Sequence, residues 1–223
     1  EDGNRTFSFY RKPSADLLYS PEQIDPAWFA DAFALHFCSV SLVDSPMRYA
    51  HLAAITAARE AGAILSFDPN LRFPLWPDRE QLRQTVWQFL PLTHILKLSD
   101  EELPFLTGTE DIEAALPALF TGDVQLVLYT CGSKGARAYT RTASAHARSP
   151  KVAAVDTTGA GDAFWGGFLH RMLALDKTPD QLTADDAADC ARWGSATAAV
   201  CVTRRGAIPA MPSLAEAEAL LAE

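Results

Sequence analysis

The stretch Asp156-Thr157-Thr158-Gly159-Ala160-Gly161-Asp162-Ala163-Phe164 decides how the chain is read. Gly159 and Gly161 let the backbone turn tightly, so the amides of Gly159, Ala160 and Gly161 can converge on one point. Apolar residues then recur at Phe164, Phe168, Leu169, Met172 and Leu173, which places a helix start at the same point. Such a point suits an anion, a transferring phosphoryl group among them, and Asp162 in the first turn can accept a proton from an attacking hydroxyl. The letters equally fit a plain Gly-rich turn in which Asp162 is only a favourable charge at a helix start. Other Gly-rich motifs fail on spelling. No G-x-x-x-x-G-K-[ST] string exists, Phe164 stands where a dinucleotide fingerprint needs its third glycine, and the H-R-D and D-F-G strings of protein kinases are absent.

Upstream of this turn, strand and helix signals alternate. Arg5 to Arg11 alternates imperfectly and predicts a strand. Asp25-Pro26 predicts a capped helix through Ala34, Leu35 to Val43 a strand, and Ser45-Pro46 a helix to Ala61 that Gly62 stops. Ala63 to Phe67 predicts a buried strand running into the loop Asp68-Pro69-Asn70-Leu71-Arg72. Asp78 with Gln81 opens a helix through Leu90, Ile95 to Leu98 a strand, and Ser99 with Glu102 the next helix. Val124 to Thr130 lacks alternation and reads as a fully buried strand. Gly135 to Arg141 and Ala143 to Ser149 read as antiparallel edge strands, with two further helices over Ala184 to Cys201 and Ser213 to Ala222. Strands alternating with helices imply βαβ units and a mostly parallel sheet covered on both faces. Ligands in such folds sit beyond the carboxyl ends of the strands, where the loops at Asp68–Arg72, Ser99, Thr130–Gly135 and Asp156–Asp162 belong.

Composition narrows the function classes. The chain has 223 residues, 48% of them hydrophobic and 21% charged, which is enough to bury a core and excludes a wholly disordered chain. The formal net charge of −9 and the lack of any basic run beyond Arg11-Lys12 and Arg204-Arg205 argue against nucleic acid as a partner. No apolar run reaches the ~18 residues of a membrane span, so a soluble, cytoplasmic protein is expected. Cys38, Cys131, Cys190 and Cys201 form no C-x-x-C pair and are expected as reduced, mostly buried thiols. The five histidines show no metal-ligand spacing.

The Asp156–Phe164 stretch resembles the C-terminal signature of the PfkB, or ribokinase-like, carbohydrate kinases. Supporting strings stand in the family's order: Phe9-Tyr10-Arg11, Asp68-Pro69-Asn70-Leu71-Arg72, Ser99-Asp100-Glu101-Glu102, Thr130-Cys131-Gly132-Ser133-Lys134-Gly135 and Val202-Thr203-Arg204-Arg205-Gly206-Ala207. Within the family the Phe-Tyr-Arg-x-Pro-x-Ala-Asp and Asp-Pro-Asn-Leu-Arg-x-Pro-Leu-Trp strings are most similar to fructokinases, then to 2-keto-3-deoxygluconate kinases. The resemblance implies an α/β, ribokinase-like three-layer α/β/α fold with a mostly parallel central sheet and the remnant of a small β lid. Residues 1–20 would be that lid strand and its return, and residues 21–223 the core.

The resemblance also implies roles. Asp162 would be the base that activates the sugar hydroxyl, with the amides of Gly159, Ala160 and Gly161 as an anion hole. Thr130, Gly132 and Gly135 would lie along ATP, with Asn70, Arg72 and Ser99 near its phosphates. Tyr10, Arg11, Arg72 and Asp162 would meet the sugar. Glu102 would hold Mg2+ through water. Asp156, Thr158, Cys201, Arg204 and Gly206 would hold a monovalent cation, K+, mainly through backbone oxygens. Ser99 departs from the Asn usual in the family, and Ser99-x-x-Glu102 is also a capping box; Arg11 is also readable as a solvated strand charge. The family's early strand, sugar-binding Asp and Gly-Gly motif have no counterpart in the chain, so a fragment or an omitted N-terminal portion is expected. The expected activity is ATP-dependent phosphorylation of fructose to fructose 6-phosphate. The alternatives are 2-keto-3-deoxygluconate kinase or ribokinase, or an inactive nucleotide- or sugar-binding fragment. Partners would be a small sugar, with neither nucleic acid nor membrane, and the assembly either a monomer or a homodimer.

Overall fold

A computed structural model describes residues 9–11 and 14–222. The strands are β1 (Ala34–Cys38), β2 (Ile64–Asp68), β3 (Ile95–Ser99), β4 (Leu126–Thr130), β5 (Ala136–Tyr139) and β6 (Ser144–Ala147), in one sheet with the order β1-β2-β3-β4-β5-β6. β1 and β2 pair in parallel with Ala34 opposite Ile64, β2 and β3 in parallel with Ser66 opposite Ile95, and β5 and β6 antiparallel with Ala136 opposite Ala147. The helices are α1 (Pro46–Glu60), α2 (Arg79–Phe89), α3 (Leu103–Thr107), α4 (Ile112–Leu119), α5 (Ala160–Leu175), α6 (Ala184–Val202) and α7 (Leu214–Leu221). This is the three-layer α/β/α class that the alternation of elements implies. The chain forms two compact units, one reaching Val127 and one from Leu128 onward.

In the unit up to Val127, β2 is buried along its whole length and β3 up to Leu98, which is why neither shows alternation. Phe37 on β1 stacks on Phe67 of β2 at 4.7 Å between centroids, and Phe89 of α2 and His51 of α1 meet Phe37 edge-on. Burial pushes the His51 imidazole below its usual pKa, against the Met47 carbonyl that raises it. Asp78 caps α2 by accepting from the Gln81 amide at 2.8 Å.

Several expected elements differ. The helix expected over residues 25–34 is only a 3-10 turn, Pro26–Phe29. Asp25 caps just the Ala27 amide, Trp28 is exposed, and Phe29 alone is buried, so no helical face has a core to meet. The strand expected to reach Val43 ends at Cys38, because the Ser39 amide bonds the Pro69 carbonyl and the chain enters a 3-10 turn over Ser39–Ser41. Helix α4 had no sequence signal because Pro117 lies inside it; it forms behind an Asp111 cap that accepts from the Glu113 amide. Of the strand expected over residues 5–11, the described part, Phe9–Arg11, has no regular structure, and residues 1–8 lie outside the described residues. Ala15–Leu18 and Pro21–Gln23 are 3-10 turns.

In the unit from Leu128, α5 and α6 lie nearly in backbone contact. A methyl group on Gly194 of α6 would stand 2.7 Å from the Phe164 carbonyl of α5, and Thr197 Oγ1 donates to the Ala163 carbonyl at 2.7 Å. Helices α6 and α7 each open with a full capping box, Thr183 with Asp186 and Ser213 with Glu216. A cation reinforces each box, Lys177 on Asp186 and Arg204 on Glu216. The hydrogen bond from Lys177, then that from Thr183, brings the Asp186 carboxyl down to about 2, and Arg204 does the same for Glu216. Two of the four cysteines are buried, Cys190 and Cys201, while Cys38 and Cys131 are half-buried, so the expectation of mostly buried thiols holds for half of them. Burial, with the Asp189 charge second, pushes the Cys190 thiol up to about 12. Among the described residues no helix is long and apolar enough to cross a membrane.

Two outcomes follow from this packing. Gly194→Ala should destabilise the protein by about 1–3 kcal/mol, because the clash with backbone outweighs the ~1 kcal/mol gained in helix propensity; the midpoint of denaturant unfolding measures it. The depressed carboxyls of Asp186 and Glu216 stabilise the fold fully above the unfolded carboxylate range near pH ~4, and this contribution is lost as pH falls towards 2. Asp186→Asn should therefore melt below the wild type at pH 7, and the two melting temperatures, followed by circular dichroism, should converge near pH 2.

Candidate active site

The Gly-rich turn opens α5 as the sequence reading requires. Gly159 is the N-cap with φ +79°, a left-handed backbone that side chains other than glycine's disfavour, and a methyl group there would stand 3.0 Å from the Ala207 Cβ. Ala163 closes the first helical bond onto the Gly159 carbonyl at 2.8 Å. The Ala160 amide donates to the Thr157 carbonyl at 3.3 Å, so this member of the expected anion hole has a partner inside the turn. Among the described residues the amides of Gly161 and Asp162 meet no acceptor, as the first turn of a helix demands. Of the expected set, the Gly159 and Gly161 amides meet no acceptor among the described residues, and the Asp162 amide joins them. Asp162 itself is exposed in that first turn.

Around the turn, Asp156 works as a clamp. Its Oδ1 accepts from the Thr158 amide at 2.9 Å and the Thr158 hydroxyl at 2.6 Å, and its Oδ2 accepts from the Gly206 amide at 2.9 Å. The Val155 and Asp156 amides both reach the Val202 carbonyl, and Cys201 Sγ lies 3.6 Å from the Thr158 carbonyl. Burial, then the charges of Asp156 and Asp162, raise the Cys201 thiol. Asp156, Thr158, Cys201, Arg204 and Gly206 are thus brought together as the sequence reading expects. Arg204 turns its guanidinium away to Glu216, leaving its backbone to this patch. The donor set is one carboxylate and backbone carbonyls, which fits a hard monovalent cation. Among the described residues no cluster of His, Cys, Asp and Glu suited to a metal is present.

The loop after β4 forms a second feature of this unit. Gly132–Lys134 is a 3-10 turn closed by the Gly135 amide on the Gly132 carbonyl at 3.0 Å and the Cys131 amide on the Gly135 carbonyl at 2.8 Å. His146 of β6 lies 3.0 Å from the Lys134 carbonyl and ties the turn to the hairpin. Thr130 ends β4 at the mouth of this loop. A cavity of about 420 Å³ lies beside Asp162, lined among others by His170, Trp193, Thr197 and Met211.

In the other unit the loops after β2 and β3 are held by two carboxylates. Asp68 Oδ1 accepts from the Asn70 amide at 3.2 Å, and its Oδ2 meets Lys97 Nζ at 2.5 Å with both side chains about nine-tenths buried. Glu102 Oε1 accepts from the Leu71 amide at 2.9 Å, and Oε2 from the Ser99 amide and hydroxyl at 3.0 and 2.9 Å. Asn70 is one of two described non-glycine residues with positive φ, at +47°. Arg72 Nη1 donates back to the Leu71 carbonyl at 2.9 Å. Lys97 was missed by the sequence reading, although a lysine between Leu96 and Leu98 in a buried strand was a visible signal.

Tyr10 and Arg11 line a cavity of about 690 Å³ with Val43, Asp44 and Leu75. Tyr10 is 94% exposed. Arg11 is not a solvated charge: its guanidinium donates to the Val40 carbonyl at 2.6 Å, to Ser41 Oγ at 3.1 Å and to Asp16.

Comparison with known proteins agrees with these features. The family model described as pfkB family carbohydrate kinase matches residues 1–214. The probable fructokinase-4 of Arabidopsis thaliana is 42% identical over 225 residues, covering 99% of the chain and 67% of that relative. The chain therefore spans about two thirds of the length of the curated relatives it matches. Among solved structures, the fructokinase of Xylella fastidiosa with bound ATP superposes with a TM-score of 0.89 at 38% identity, covering 99% of the chain and 71% of the relative. A double-mutant fructokinase of Vibrio cholerae O395, bound to fructose, ADP and potassium, gives 0.85 at 37% identity, with 94% and 66% covered. With a matching family model over residues 1–214 and a glycine-rich turn whose open amides flank an exposed aspartate, the chain belongs to the pfkB family of carbohydrate kinases.

Proposed function

We propose that the chain carries the phosphoryl-transfer machinery of an ATP-dependent fructokinase, which converts fructose to fructose 6-phosphate. The observation that carries this reading is the start of α5, where the amides of Gly161 and Asp162, without an acceptor among the described residues, adjoin an exposed carboxylate. Similarity to fructokinases solved with ATP, or with fructose and ADP, supports the choice of both substrates.

ATP, with Mg2+, supplies the phosphoryl group and part of the neutralising charge. The Gly161 and Asp162 amides, at the positive end of α5, stabilise the charge that develops on the equatorial oxygens. Asp162 takes the proton from the attacking sugar hydroxyl. The Thr130–Gly135 loop presents backbone along the nucleotide, with Asn70 and Arg72 donating to phosphate oxygens and Arg72 also to the acceptor. Glu102, whose oxygens hold the Ser99 and Leu71 amides, would hold Mg2+ through water. Asp156, Thr158, Cys201, Arg204 and Gly206 would hold K+, whose charge supports the anion site beside them. Tyr10 and Arg11 meet the sugar.

A coupled ADP-release assay on the full-length protein, with fructose, ribose and 2-keto-3-deoxygluconate, tests the reading. Fructose should give the highest kcat/KM. A preference for 2-keto-3-deoxygluconate would move the protein to the neighbouring branch, and no turnover with any sugar would leave a binding fragment. Asp162→Asn should lower kcat by ~10²–10⁴-fold while ATP still binds; a kcat within a few-fold of wild type would remove Asp162 from its role. Arg11→Ala should raise the sugar KM by about fivefold or more, the worth of one lost hydrogen bond, with the ATP KM unchanged. An unchanged sugar KM would leave Arg11 as a tie between its own segment and the Ser39–Ser41 turn.

A further inference from the structure

We propose that Lys97 is a positioning residue for phosphoryl transfer, acting through its buried ion pair with Asp68 to lock the turn that presents Asn70 and Arg72. The proposal rests on the fructokinase reading above for the roles of those two side chains.

Lys97 sits on β3 between Leu96 and Leu98, which are fully buried, and is itself 6% exposed. Stability alone does not explain a lysine there, because a buried ion pair gains little over well-packed apolar side chains. Its charge has one visible use. Nζ holds Asp68 Oδ2, and the same carboxylate reaches with Oδ1 to the Asn70 amide. The parallel register that sets Ser66 opposite Ile95 and Phe67 opposite Leu96 carries Asp68 alongside Lys97.

The second carboxylate repeats the pattern two residues on. Ser99 projects from the same face of β3 as Lys97, and it holds Glu102, whose other oxygen takes the Leu71 amide. One face of β3 thus anchors two acids, and the acids grip two consecutive amides, Asn70 and Leu71. Between them the backbone is in the left-handed region at Asn70, a conformation that asparagine adopts more readily than most residues and that the two grips hold from either side. Directly after this grip comes Arg72, with Nη1 bonded back to the Leu71 carbonyl. The direction in which Asn70 and Arg72 point is therefore set from β3. Without Lys97 the Asp68 carboxylate loses the cation that fixes its rotamer, and the Asn70 amide loses a fixed acceptor.

Two variants of the full-length protein test this. Lys97→Met removes the charge with little change in volume but leaves a lone buried carboxylate, so the neutral pair Asp68→Asn/Lys97→Met guards against a simple failure to fold. In either folded variant, kcat with fructose should fall 10-fold or more, while the KM values for ATP and fructose stay within threefold. Hydrogen exchange at the Asn70 and Leu71 amides should quicken at least 10-fold, with the amides of α1 unchanged. A lowered melting temperature with wild-type kcat and wild-type exchange at Asn70 would overturn the proposal, leaving the pair a packing device. A wild type that phosphorylates no sugar would overturn the fructokinase reading and the catalytic half of this proposal. Faster exchange at Asn70 would in that case still support the locking of the turn.

Discussion

Backbone that leaves a parallel strand without entering a helix carries amides that no neighbouring strand can satisfy, and in this chain carboxylates meet them. Asp68 takes the Asn70 amide, Glu102 those of Leu71 and Ser99, and Asp156 those of Thr158 and Gly206. Each acid bridges two points of the chain, so irregular loops acquire the rigidity of the elements around them. Asp156 joins the Gly-rich turn to the segment after α6, and Glu102 joins the loop after β2 to the end of β3. A loop that must hold phosphate within a few tenths of an ångström needs this restraint, because misplacement of reacting groups by even 1 Å is costly.

Much of the fold was readable because the signals were local. Ser45-Pro46 and Gly62 bracket α1, Asp78 opens α2, and the lack of alternation at β2, β3 and β4 marks largely buried strands. The misreadings came where tertiary contact decided. Ser39 leaves β1 because its amide finds the Pro69 carbonyl, a partner 30 residues away that no window of sequence contains. The short helix at Asp25 failed for the opposite reason: its cap was present but its apolar face had nothing to cover it.

The site divides in the same way. Gly159 was named from spacing, since glycine at a tight turn announces itself, whereas Gly132 and Gly135 were named through the family resemblance. Asp156, Thr158, Cys201 and Gly206 come from widely separated parts of the sequence, and only family resemblance could bring them together before the structure did. That the Thr157 carbonyl takes up the Ala160 amide was not legible, because this bond depends on how the turn closes. Lys97 escaped because a single charge in an apolar strand can snorkel to a surface as readily as pair inside. Arg11 was left between solvent and sugar, and its ties to Val40, Ser41 and Asp16 were invisible in a string of letters.

The four thiols sort by address. Cys190 is held protonated by burial and Cys201 is shielded beside two acids, whereas Cys38 and Cys131 are each half-buried. A thiol-specific dye reacts through the thiolate and through access, and burial works against both at two of the four, Cys190 and Cys201, leaving Cys38 and Cys131 as the less buried pair. One of them, Cys131, belongs to the Thr130–Gly135 loop itself. Burial thus sets the two cysteines of α6 apart from Cys131, the one cysteine of the Thr130–Gly135 loop.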